Sequence, residues 1–292
     1  MIKPSWLAKR TSLNYQTDFT RKALADMRVS TVCREARCPN IGECFSNRVA
    51  TFMILGDACS RACGFCAVEQ SRNLPPPDET EPERVAEASA ILGLSHVVVT
   101  SVTRDDLQDG GSSQFARTIK AIRASLPSAS VEVLTPDFGG NASAIDTVTD
   151  AGPDVYNHNV ETVPGLYAKV RPKADFSRSA GLLARVKNRA PSIVTKSGIM
   201  LGLGETMEQV TSVMRCLIDV GCDVFTAGQY LRPKLANLPV VKYVRPEVFD
   251  EIKELGESMG FSKVYAGPYV RSSYHAGEVF MDGMAKRETS QR

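Results

Sequence analysis

Six of the chain's eight cysteines fall in one short run, VCREARCPNIGECFSNRVATFMILGDACSRACGFC. They form two triplets of different spacing, Cys33, Cys38 and Cys44 as Cx4Cx5C, then Cys59, Cys63 and Cys66 as Cx3Cx2C. Thiolates gathered this closely are soft ligands suited to zinc or to iron–sulfur clusters, and both usually take four protein ligands. Each triplet is one ligand short. The second is too tight for a four-cysteine zinc ribbon, which offers two CxxC pairs well apart. A ferredoxin-type cluster needs a fourth nearby cysteine, and none follows Cys66 until Cys216. In a reducing compartment such thiols point to metal binding rather than to disulfides.

Ligands of this kind need a frame, and the sequence around and after them is regular. A proline-rich connector, NLPPPDETEP, cannot continue a helix or a central strand. Strand-like runs are expected at 50–55, 95–101, 130–136, 154–161, 192–202 and 222–230, each followed by an amphipathic stretch at 82–94, 112–126, 141–152, 177–190, 206–221 and 246–261. That rhythm gives about six strand–helix units with right-handed crossovers. Val210, Val213, Met214, Leu217 and Ile218 recur at three and four, Thr206 is placed to cap their helix, and Glu208 suits its dipole. A parallel sheet follows, as an incomplete barrel or a doubly wound fold. Either one gathers ligands at the C-terminal ends of its strands, the side reached by the second triplet and by TSVTRDDLQDGG, NHNVETV, GLGE and GQYLRP.

Length and composition bound the rest. With 292 residues and 43% apolar content the chain can bury one full-sized core. A net charge of +2 gives no broad single-sign field, so neither nucleic acid nor an anionic membrane is an expected partner. The start, MIKPSWLAKR, lacks the apolar core of a signal peptide, and no apolar run approaches the ~20 residues of a membrane span. A soluble, cytoplasmic protein without a membrane span is expected.

CSRACGFC, with Phe65 just before the last cysteine, resembles the signature of the radical S-adenosylmethionine superfamily. In that superfamily three thiolates hold a [4Fe–4S] cluster, and the open iron is chelated by S-adenosylmethionine. Reduction then yields a 5′-deoxyadenosyl radical. Here the cofactor carries the hard chemistry and the protein orients it. The Cx4Cx5C triplet ahead of the signature is similar to that of the lipoyl synthases. The resemblance continues in order through ATFMILGDACSRACGFC, VVVTSVTRDDLQDGG, TPDF, DVYNHNVETV, KSGIMLGLGET, GQYLRP and GPYVRSSYHA.

That resemblance implies an α/β fold, an incomplete (β/α)6 TIM-type barrel over 50–265. An N-terminal extension over 1–49 would carry the first triplet, and a C-terminal tail over 266–292 would carry a serine ligand. It implies two [4Fe–4S] clusters and S-adenosylmethionine. One cluster would sit on Cys59, Cys63 and Cys66. The other, auxiliary cluster would sit on Cys33, Cys38, Cys44 and a serine of the RSSY element, assigned to Ser273 with Ser272 as the alternative. The implied reaction inserts two sulfur atoms, drawn from the auxiliary cluster, at C6 and C8 of a protein-bound octanoyl-lysine, and consumes two S-adenosylmethionine. Implied partners are an octanoylated lipoyl carrier domain or glycine-cleavage H protein, an electron donor such as flavodoxin or ferredoxin, and an iron–sulfur carrier for rebuilding the cluster. The alternatives are another two-cluster sulfur-inserting radical enzyme without the serine element and, in a different class, a zinc-stabilised binding protein.

Further candidates follow from position. Phe65 would lie against the cluster or adenine, or in the core. Thr100, Arg104, Asp105 and Asp106 follow the second strand. Asn157, Asn159 and Glu161 alternate along the fourth and would share an inward face, and Gln229 and Arg232 end the sixth. Thr100, Asp106, Asn159, Glu161, Gln229 and Arg232 are the expected cofactor contacts. His96, His158 and His275 are expected to be structural, and Cys216 and Cys222 to be apolar fillers. Arg34 stands where the resembled family more often has glutamate. Lys3, Lys9, Arg10, Arg21 and Lys22 make the N-terminal arm basic, which suits an acidic carrier or a plain solvated surface.

Overall fold

The computed structural model describes residues 3–8, 14–274 and 276–277. Lys9, Arg10, His275 and the tail beyond 277 lie outside the described residues. The chain divides into two compact units, one of Lys9–Ala62 and Ala67–Asp154, the other of Met1–Ala8, Cys63–Cys66 and Val155–Arg292.

In the first unit three parallel strands, β1 (Thr51–Ile54), β2 (His96–Ser101) and β3 (Ser130–Leu134), pair in sequence order. A two-residue strand, Ser30–Thr31, joins the free side of β1 in antiparallel fashion. All four residues of β1 are buried, as expected for a parallel strand covered on both faces. Helices α2 (Glu81–Leu92), α3 (Ser112–Ser125) and α4 (Ala142–Asp150) follow the three strands. The N-terminal extension is helical too. Helix α1 (Tyr15–Asp26) is capped by the Asn14 side chain, which accepts from Thr17 N, and the Thr20 hydroxyl donates to Phe45 O at 2.8 Å.

In the second unit β4 (Val155–Asn157), β5 (Val194–Leu201), β6 (Val224–Gln229) and β7 (Lys263–Gly267) are parallel and again pair in sequence order. They alternate with α5 (Phe176–Arg189), α6 (Met207–Asp219) and α7 (Pro246–Met259). Thr206 caps α6 as expected, within a full capping box. Its hydroxyl accepts from Gln209 N, and the Gln209 side chain accepts from Thr206 N at 3.0 Å. Helix α7 ends on Gly260 at φ 116°, a conformation that disfavours any other residue.

Two elements differ from expectation. Strand β7 is an additional parallel strand after the sixth unit, and it runs across the expected boundary between 265 and 266. Its five residues, KVYAG, contain too few strongly apolar positions to stand out. The fourth strand is short. Asn157 pairs with Lys196, but the next bridge is Glu161 with Ile199, so four steps on one side match three on the other. The extra residue is a bulge, taken up by Glu161 at φ 65°. Strict alternation from Asn157 to Glu161 is therefore lost.

Candidate iron–sulfur and cofactor site

In the first unit the loop after β1 carries Cys59, whose sulfur accepts two backbone N–H groups, from Thr103 at 3.3 Å and Arg61 at 3.4 Å. Such donors orient a ligand sulfur and tune a metal bound to it. The turn leading into this loop is fastened at Leu55, which sits at φ 68°. Its N–H donates to the Glu81 carboxylate at 2.9 Å, and its carbonyl accepts from Arg104 at 3.3 Å. Burial pushes the Glu81 carboxyl above the usual range, against the hydrogen bonds from Leu55 and Gln114.

Arg104 and Asp106 pair through a bidentate contact, at 3.0 and 2.8 Å, and Arg104 also donates to Pro75 O at 2.8 Å. That hydrogen bonding holds the Asp106 carboxyl below the usual carboxylate range. Arg104 thus ties the loop after β2 to its neighbours, and Asp106 holds the Arg104 guanidinium from within that loop. Thr100 is likewise engaged, donating to Leu134 O at 2.9 Å. Ser101, one residue on, was not singled out from sequence. Its buried hydroxyl has no hydrogen-bond partner among the described residues, which marks it as a group a ligand would satisfy. The available signal was its place at the C-terminal end of β2.

In the second unit the turn with Cys63 and Cys66 is gripped from two sides. Gly64 N donates to Val170 O at 2.9 Å, Leu238 N donates to Gly64 O at 2.9 Å, and the Asn237 amide donates to Cys66 O at 2.8 Å. Phe65 packs on the buried patch of Val170, Leu203 and Tyr230, so it serves the core. A Cβ at Gly64 would press on Leu238 at 2.9 Å, which makes this a cradle that accepts only glycine without a shift.

Glu161 and Asn159 converge with Arg171 and the tail. Asn159 donates to the Ser272 hydroxyl at 2.5 Å, and its carbonyl accepts from Arg171 at 2.8 Å. The Asn159 side-chain oxygen is buried without a partner among the described residues. Burial raises the Glu161 carboxyl, opposed by the Arg171 charge, the Asn159 hydrogen bond and the Arg271 charge. The left-handed Glu161 is held by its neighbours, with Glu161 N on Gly198 O at 2.9 Å and Met200 N on Glu161 O at 2.8 Å. A non-glycine residue locked in this conformation is a mark of functional sites.

Gln229 has another role. Its amide donates to Leu201 O and Tyr230 O at 3.0 Å and Lys242 O at 3.1 Å, while its oxygen accepts from Val244 N at 2.7 Å. It pins the loop after β6 and has nothing left for a cofactor. Arg232 is exposed and braces the same loop through the Asn237 and Leu235 carbonyls. The tail reaches this unit closely. A Cβ at Gly228 would collide with the Val270 carbonyl, and Tyr269 donates to Leu7 O at 2.5 Å.

The first triplet rides on two short helices, Val32–Glu35 and Ile41–Ser46, with Arg37 between them at φ 53°. Burial, then the Cys38 charge, pushes the Cys33 thiol up to about 11, against hydrogen bonds from Thr51. No disulfide joins any of the eight cysteines. Among the described residues no three His, Cys, Asp or Glu side chains converge as a single ion requires. A cubane cluster asks for something else, because each thiolate binds its own iron. The donor set of soft sulfurs with backbone N–H groups aimed at one of them fits such a cluster.

The remaining residues behave as structural ones. His158 contacts the Ser179 hydroxyl at 3.0 Å in the buried interior, and His96 contacts that of Ser130 at 2.7 Å. Cys222 is buried, which raises its thiol, and Cys216 is half-buried. Arg21 makes an exposed ion pair with Asp18 at 3.4 Å. Among the described residues no helix is long and apolar enough to cross a membrane.

Comparison with known proteins bears directly on this arrangement. The Radical SAM superfamily model matches residues 53–217. A lipoyl synthase of Caldanaerobacter subterraneus subsp. tengcongensis is 57% identical over 94% of this chain and 95% of its own length. That of Rubrobacter xylanophilus is 52% identical over 94% and 86%. Among solved structures, methylornithine synthase (PylB) matches with a TM-score of 0.53 at 14% identity, covering 84% of this chain and 70% of that one. HydG, a maturase of the [FeFe]-hydrogenase, matches at 0.52 and 12%, covering 92% and 74%. At such identities the likeness is one of fold, and it agrees with the alternation of parallel strands and helices expected of an incomplete (β/α)6 barrel. The chain belongs to the lipoyl synthase family, within the radical S-adenosylmethionine superfamily.

Proposed function

We propose that this chain inserts two sulfur atoms at C6 and C8 of an octanoyl chain amide-linked to a lysine of a lipoyl carrier domain or glycine-cleavage H protein. The observation that carries this reading is 57% identity to a lipoyl synthase along 94% of the chain, in a sequence that has both cysteine triplets and the RSSY serines. A [4Fe–4S] cluster with S-adenosylmethionine at Cys59, Cys63 and Cys66 would supply the hydrogen-abstracting radical, and an auxiliary cluster at Cys33, Cys38, Cys44 and Ser273 the sulfur.

The chain's own residues have distinct parts in this. Thr103 N–H and Arg61 N–H donate to the Cys59 sulfur and orient it. Asn159 and Glu161 offer a polar wall for the amino, carboxylate or ribose groups of S-adenosylmethionine. The Ser272 hydroxyl accepts from Asn159, which favours Ser273 as the hydroxyl for iron, with Ser272 as the alternative. An oxygen ligand matches iron in a sulfide cluster less well than a thiolate does, so that iron leaves more readily. Electrons come from a flavodoxin or ferredoxin, and the cluster is rebuilt by an iron–sulfur carrier, in the cytoplasm.

Anaerobic turnover of the reconstituted protein with an octanoylated carrier tests the proposal. Mass spectrometry of the carrier should find two added sulfur atoms and two 5′-deoxyadenosine released per product. Methylthiolated product, or product with sulfur drawn only from free sulfide in a single turnover, would overturn it.

A further inference from the structure

Around Cys59 the backbone is stitched to the loop after β2. Ser60 N donates to Thr103 O at 3.0 Å, the Ser60 hydroxyl donates to the same carbonyl at 2.9 Å, and Asp105 N donates to that hydroxyl at 3.0 Å. One side chain locks this seam. Arg61 Nε and Nη2 grip the two oxygens of Asp105 at 2.8 and 2.7 Å, and Nη2 also reaches Asp137 Oδ1 at 2.7 Å. The Arg61 and Asp137 side chains are 7% and 0% exposed. Asp137 is itself fixed by Gly139 N at 3.1 Å. A single guanidinium thus joins the loops after β1, β2 and β3.

We infer that Arg61 is a positioning residue for Cys59, whose clamp on Asp105 and Asp137 aims the amides of Arg61 and Thr103 at the Cys59 sulfur and sets the reduction potential of the cluster there. The inference rests on the assignment of Cys59 to that cluster. A planar fork held bidentate by Asp105 fixes the orientation of its residue, which a lysine's point charge does not. The two amides that reach the sulfur belong to Arg61 and to Thr103, the residues on either side of the stitched seam. Hydrogen bonds to a ligand sulfur stabilise the more negative, reduced cluster and so raise its potential. With the clamp gone, the N–H groups lose their aim and the cluster becomes harder to reduce.

The test uses full-length, anaerobically reconstituted protein and its Arg61→Met, Arg61→Lys and Asp105→Asn variants. Iron and sulfide content is measured first, followed by a redox titration by electron paramagnetic resonance. The signal that changes on adding S-adenosylmethionine identifies the radical-generating cluster, and the other cluster is the internal reference. Arg61→Met is expected to cut the reduced-to-oxidised ratio at the parent midpoint about tenfold, ~59 mV for one electron, with the reference unmoved. Arg61→Lys should recover only part of this. An unmoved midpoint, or equal movement of both clusters, would overturn the inference. Should Arg61→Met not retain its clusters, Asp105→Asn decides, with a smaller shift in the same direction expected and no shift contradicting the clamp. Cys59→Ala separates the two layers: survival of the S-adenosylmethionine-sensitive signal in that variant would refute the cluster assignment itself.

Discussion

Cys59 lies in a loop locked by the buried Arg61 and Asp137 together with the more exposed Asp105, and its sulfur accepts two amides. Cys33, Cys38 and Cys44 instead ride on helices of four and six residues joined through a left-handed Arg37. Helices that short have no stability of their own, and burial holds the Cys33 thiol in its protonated form. A cluster bound there would take the place of that proton and brace both short helices. The contrast is between a seat braced by an ion-pair clamp and a seat on two short helices; under the proposed function the first holds the cluster that is retained and the second the one that is dismantled.

The sharpest way to break this contrast is to remove one thiolate from each seat. Cys63→Ala should abolish release of 5′-deoxyadenosine altogether, while Cys38→Ala should keep that release and lose lipoyl product. Product from the Cys38 variant would sink the sacrificial role of the first triplet. Chelation of iron comes next. Hydrogen exchange should rise strongly across 32–48 and little across 57–61, and equal exposure of both segments would mean that the seats do not differ.

The tail serines give a finer division. Ser273→Ala should lower the iron content by up to half with S-adenosylmethionine cleavage preserved, whereas Ser272→Ala should keep the iron and raise the KM for S-adenosylmethionine severalfold. Swapped outcomes would move the ligand to Ser272. The smallest effect is expected at Gln229→Leu. Loss of its bonds to buried carbonyls costs about 2 kcal/mol, read as a melting point lower by roughly 4–8 °C with cluster spectra unchanged.

Much of this was readable in one dimension. The cysteines declare themselves by spacing, because a metal selects for ligand type and separation, and the six strand–helix units by periodicity and caps such as Thr206. What escaped depends on partners far along the chain. Arg61 means nothing without Asp105, 44 positions away, and Asp137. Gln229 and Thr100 look like free polar groups at strand ends until their backbone partners are known. The bulge before Glu161 hides because one inserted residue leaves composition untouched while reversing which side each residue faces.

The close approach of Val270 to Gly228 makes the absence of a methyl group a condition for seating the tail. A strand buried in the sheet, and not only the serines themselves, therefore decides whether RSSY arrives. Adding that methyl, as Gly228→Ala, offers a remote handle for unseating the serine element with its own sequence intact, which point changes within RSSY cannot do.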